Sequence, residues 1–216
     1  MVSALGCGER GRQEQTPTPE TSAAPPQQAQ PSDARPVIVA YGDSLTAGLG
    51  LDPAQSYPED LQRLIDAAGF KYRVVNLGVS GDTTTDGVER LSSVLALHPA
   101  IVIVEFGAND GLRGQPVPSS KENLARIIDA LQKEKARIVL AGMTLPRNYG
   151  PDYIHQFEQM YVDLANHYKL ARIPFFLEGV GGIPRLTQPD GLHPTAEGAE
   201  IMAHTVMKYL GPLLEK

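Results

Sequence analysis

At 216 residues the chain can bury one sizeable core but not two ordinary domains with linkers. Its formal charge of −6, from 25 acidic and 19 basic residues, gives no reason to expect a nucleic acid as partner, and no run approaches the roughly 20 apolar residues that a membrane-spanning helix needs. Cys7 is the lone cysteine, which excludes an intramolecular disulfide and a thiolate-based zinc cluster.

Taken along the chain, the first residues include Ser3-Ala4-Leu5-Gly6-Cys7, which resembles the tail of a bacterial lipoprotein signal, where a small residue precedes a lipidated cysteine. The basic and apolar regions of such a signal are missing, so two readings stand. Either the chain is exported, periplasmic or tethered to a membrane through lipid on Cys7, or this is a cytoplasmic leader with a free thiol. From Glu9 to Arg35 the composition is Pro, Gln, Thr, Ser and Ala with almost no large apolar residue, which predicts a disordered tether. The expected organisation is a leader over 1–35 and a single folded domain over 36–216, with a monomer expected.

From Pro36 onward five short apolar runs alternate with longer segments of helical periodicity, the pattern of β-α units around a parallel sheet. The strands are predicted at Val37 to Tyr41, Tyr72 to Leu77, Ala100 to Phe106, Arg137 to Met143 and Arg172 to Leu177, each continuously apolar as a strand covered on both faces should be. Capping boxes at Ser56-Tyr57-Pro58-Glu59 and Ser119-Ser120-Lys121-Glu122 predict helix starts. Further helices are predicted over about 84–97, 153–168 and 194–210. Right-handed crossovers then give a three-layer α/β/α sandwich on a five-stranded parallel sheet of flavodoxin-like order 2-1-3-4-5. In such sheets ligands bind beyond the carboxyl ends of the strands, so the loops after each strand are the places to search.

After the first strand comes Gly42-Asp43-Ser44-Leu45, and a serine here reads equally as an exposed nucleophile or as a helix N-cap. After the fifth strand stands Asp190-Gly191-Leu192-His193-Pro194, whose proline suits a first helical turn and so puts His193 near an N-cap. Asp190 can reach one imidazole nitrogen while the other faces away, the arrangement that a general base for a hydroxyl requires. Ser80-Gly81-Asp82-Thr83 and Gly107-Ala108-Asn109-Asp110-Gly111 follow the second and third strands. There a glycine amide and the Asn109 side chain are available as donors to an oxyanion, against the plainer reading of turn residues.

These four blocks, Ser44, Gly81, Asn109 and His193 with Asp190, resemble in order and loop placement those of the SGNH/GDSL hydrolases. The resemblance covers about Pro36 to the C-terminus and is nearest to the bacterial thioesterase I/lysophospholipase L1/arylesterase branch. It implies a serine esterase that cuts carboxylic esters or thioesters of small acyl substrates through an acyl-enzyme, with no cofactor and no metal. It also implies that the backbone amides of Ser44 and Gly81 and the side chain of Asn109 form the oxyanion hole. Asp43, Gly111, Leu112, Leu145 and Pro146 are implied as substrate contacts, Gly111 to Pro116 as a mobile loop over the acyl chain and Leu145 as pocket lining. Ala108 stands where the family more often has a second glycine. Two rivals keep the fold: a carbohydrate acetylesterase with the same triad, and a non-catalytic flavodoxin-like binding module. Gly179-Val180-Gly181-Gly182 reads as a flexible connection, and the remaining histidines have no acid spacing that suggests a metal site.

Overall fold

Five runs of aliphatic residues form β1 (Val37–Gly42), β2 (Arg73–Asn76), β3 (Ile101–Glu105), β4 (Arg137–Ala141) and β5 (Ala171–Ile173) in a computed structural model that describes residues 1–2 and 33–216. The readings of Cys7 and of the leader lie outside the described residues. Every neighbouring pair is parallel and the order is β2-β1-β3-β4-β5, as predicted. Ile38 sits level with Val74 on one side and Ile101 on the other, which aligns the carboxyl ends of the three strands whose loops carry the candidate residues.

Among the described residues, eight α-helices join three single-turn 3-10 helices: α1 (Ser44–Ala47), α2 (Tyr57–Ala67), α3 (Thr84–Glu89), α4 (Leu91–Leu95), α5 (Ala108–Leu112), α6 (Val117–Lys133), α7 (Pro151–Tyr168) and α8 (Ala196–Leu210). α2 packs on α8 across one face of the sheet, while α3, α6 and α7 pack side by side across the other. Covered on both faces, β1 and β3 are fully buried from Ile38 to Tyr41 and from Ile101 to Val104. Residues Ala34–Lys216 form one compact unit.

Several expectations need correction. β2 is an edge strand and is only half-buried, because one side of it has no neighbour. β5 stops at Ile173, since Pro174 has no N–H with which to continue the ladder; Phe176 instead donates to Gly142 O at 2.8 Å and packs edge-on against Tyr57. The helix expected over 84–97 is two helices, broken at Arg90. Its guanidinium is used elsewhere, donating to Leu77 O and Gly42 O at 2.7 Å each and pairing with Asp82. Neither predicted capping box forms. α2 does begin after Ser56, but that hydroxyl donates to Pro53 O, and α6 begins two residues before Ser119, at Val117.

Candidate active site

β1 ends at Gly42 and the chain turns at once into α1. Asp43 is the N-cap of that helix, its Oδ1 accepting the Leu45 N–H at 3.0 Å. The capping role that the sequence left open for serine therefore falls to Asp43, and the Ser44 hydroxyl stays available. Gly78 allows the loop after β2 to lie against this turn, because a Cβ there would collide with the Ala47 backbone nitrogen.

The histidine loop is built differently from the prediction. Pro194 does not start a helix; it pairs with Thr187 in an isolated bridge, and α8 is capped by Thr195, whose hydroxyl accepts the Gly198 N–H at 3.3 Å. Within the loop, Asp190 Oδ1 accepts the Leu192 and His193 amides at 2.9 and 3.0 Å, and Oδ2 lies 2.6 Å from His193 Nδ1. These hydrogen bonds, that to His193 first, lower the Asp190 pKa to about 2. An ionised Asp190 requires Nδ1 to carry a proton, which leaves the lone pair of Nε2 facing Ser44 Oγ at 2.9 Å. The Gln188 side chain spans the two loops, donating to Leu49 O at 2.7 Å and Pro194 O at 2.9 Å.

Asn109 and Gly81 come to the same edge. Asn109 Nδ2 donates to Asp82 O at 2.8 Å and to Asp43 Oδ2 at 3.1 Å. Gly81 has φ +90° with open space where a Cβ would project, and its carbonyl accepts from Arg113 at 2.9 Å. Below them lie two buried carboxyls. Burial raises Asp43 to about 6, and burial together with the Asp43 charge raises Glu105 well above the ordinary carboxyl range.

A cavity of about 800 Å³ opens over Ser44 and His193. Leu112, Leu145 and Pro146 line it, joined by Leu45, Met143 and Phe175. Gly111 does not line it and packs behind Leu145, where a Cβ would come within 2.6 Å of that side chain. Asp43 borders the cavity but is 1% exposed, with its carboxylate turned onto protein donors. The segment expected to be mobile is tied at Leu112 O by the Tyr149 hydroxyl and at Gln115 O by that of Tyr153. Gly181 and Gly182, read as part of a flexible connection, form part of the wall. Among the described residues, no three His, Cys, Asp or Glu side chains gather as a metal site requires.

Residues 40–201 match the GDSL-like Lipase/Acylhydrolase family. The chain belongs to that family. A curated member, esterase TesA of Pseudomonas aeruginosa, is 43% identical over 178 residues, spanning 82% of this chain and 89% of that protein. An arylesterase of Vibrio mimicus is 38% identical over 184 residues, 83% of this chain and 92% of the relative. The crystal structure of AlinE4, an SGNH-hydrolase family esterase, superposes with a TM-score of 0.70 at 41% identity, covering 84% of this chain and 98% of AlinE4. This GDSL hydrolase is accordingly a carboxylic ester hydrolase of the serine esterase kind.

Proposed function

We propose that this GDSL hydrolase uses Ser44 as nucleophile, His193 as general base and acid, and Asp190 to orient the imidazole, on esters or thioesters whose acyl or aryl group fills the apolar cavity. The unbroken chain from Ser44 Oγ through His193 to Asp190, whose first two members line that cavity, carries the reading. Ser44 Oγ attacks the carbonyl carbon as its proton passes to Nε2, and the C=O electron pair moves onto oxygen. The amides of Ser44 and Gly81 and the Asn109 side chain face that oxyanion, which takes an Asn109 N–H in competition with Asp43. Collapse breaks the bond to the alcohol or thiol, which leaves with the proton from Nε2. Water then attacks the acyl-Ser44 ester with the same base, releasing the acid and restoring the hydroxyl.

The wall of Leu45, Leu112, Met143, Leu145 and Phe175 favours this reading over acetyl removal from a carbohydrate, whose polar body would have to lie on apolar surface. A non-catalytic binding module would have no use for a serine held against a braced imidazole. The test is a series of p-nitrophenyl esters from acetate to long chains, together with a fluorophosphonate. The expected result is a rate that rises beyond acetate and a single adduct on Ser44. Activity confined to acetate would refute the substrate class, and an unlabelled Ser44 would refute the nucleophile. We propose further, from the sequence around Cys7 alone, an exported chain anchored by lipid on that residue. Labelling with a fatty-acid analogue that is lost in Cys7→Ala tests it.

A further inference from the structure

Glu105 ends β3 directly beneath the β1–α1 turn, is fully buried, and has no part in the steps above. Its Oε2 accepts the Asp43 N–H at 3.1 Å and the Thr46 hydroxyl at 2.8 Å, and so grips the chain on both sides of Ser44. The other oxygen, Oε1, is buried and receives no donor among the described residues. Glu105 thus lies against Asp43, whose amide it binds, and two buried carboxyls held so close escape mutual repulsion only if one of them keeps its proton. Each Asp43 oxygen accepts a donor, Oδ1 from the Leu45 amide and Oδ2 from Asn109, whereas Glu105 Oε1 accepts none, so the proton belongs on Glu105. The other titratable groups facing it are the Tyr57 and Tyr161 phenols, which burial keeps neutral.

We propose that Glu105 is a positioning residue for the oxyanion hole: an un-ionised acid that donates to the Asp43 carboxylate and, through Asp43, sets the Asn109 amide. The line runs from the Glu105 hydroxyl to Asp43, and from Asp43 Oδ2 to Asn109 Nδ2 at 3.1 Å. Protonation also removes a second negative charge from beneath the place where the oxyanion forms, and that charge would oppose the transition state. The proposal rests on Asn109 being an oxyanion donor, the reading given above.

Four variants and one spectrum test it. Glu105→Leu removes donor and acceptor; Glu105→Gln keeps one of each. Glu105→Leu is expected to lower kcat by about 10- to 100-fold with KM unchanged, less than the roughly 10²- to 10³-fold cost of deleting an oxyanion donor, and Glu105→Gln to recover most of the loss. Because the effect passes through Asn109, Glu105→Leu should cost nothing further in an Asn109→Ala background. The infrared spectrum at neutral pH should contain the C=O stretch of a buried protonated carboxylic acid, and Glu105→Gln should lack it. If Asn109→Ala keeps the wild-type rate, the oxyanion reading falls and this proposal with it. If Asn109→Ala is slow but the double variant loses the two effects in full, the Glu105 proposal alone falls. Absence of the infrared band in the wild type overturns it even if Glu105→Leu fails to fold.

Discussion

At the scale of single residues, Asp190 does two jobs with two oxygens. One holds its own loop through the Leu192 and His193 amides, and the other fixes the imidazole. Asp190→Asn should keep much of the loop geometry yet present the wrong hydrogen-bonding face to Nδ1, so kcat should fall by up to about 10⁴-fold with little change in KM, measured on a p-nitrophenyl ester. Asn109→Ala should lower kcat by about 10²- to 10³-fold with unchanged circular dichroism, and a variant as fast as wild type would remove Asn109 from the oxyanion hole. Ser44 and His193 could be picked out in the sequence because reactive side chains on loops at one sheet edge are uncommon by accident. Glu105 could not: it closes the apolar run Ile101 to Val104 and reads as the polar end of a strand. Only the turn folded over it reveals that both its neighbours and its burial matter.

At the scale of elements, the site depends on loops pressed together more tightly than side chains allow. Gly78→Ala would drive a methyl group into the backbone of α1, which cannot yield as a flexible side chain would. A loss of stability of about 1–3 kcal/mol is expected by chemical denaturation, with a slower kcat because the Ser44 turn must shift. The strands and their order were readable because buried parallel strands are apolar throughout, whereas the break between α3 and α4 was not. Periodicity continues across Arg90, and the interruption comes from three acceptors, Gly42 at the end of β1 and Leu77 and Asp82 in the loop after β2, that draw its guanidinium inward. Likewise, the cavity wall at Met143 and Phe175 was hidden inside runs read as strand. Both strands stop early, and the freed side chains turn to the cavity.

At the scale of the whole molecule, the buried acid pair contributes to stability with a pH dependence opposite in sign to that of Asp86, Asp163 and Asp190. Burial pushes Asp43 up to about 6 in the folded chain, against about 3.9 for an unfolded aspartate, so between these values the folded state holds more protons than the unfolded one. Its contribution is therefore fully present below about pH 4 and is lost as pH rises through about 6. Glu105, shifted the same way, carries that loss to higher pH. Most acid residues do the reverse. Asp43→Asn should accordingly flatten the fall in thermal midpoint between about pH 4 and 6, measured against wild type by calorimetry; an unchanged slope would show that Asp43 is not the group responsible.

Gln188 links the two loops that bear Ser44 and His193, partners separated by 149 positions in the chain. If the proposed mechanism holds, a growing polypeptide carries the Ser44 hydroxyl long before it owns the base that would take its proton. On that mechanism, a chain that ends short of His193 is expected to turn over no ester until the last loop has closed over the first.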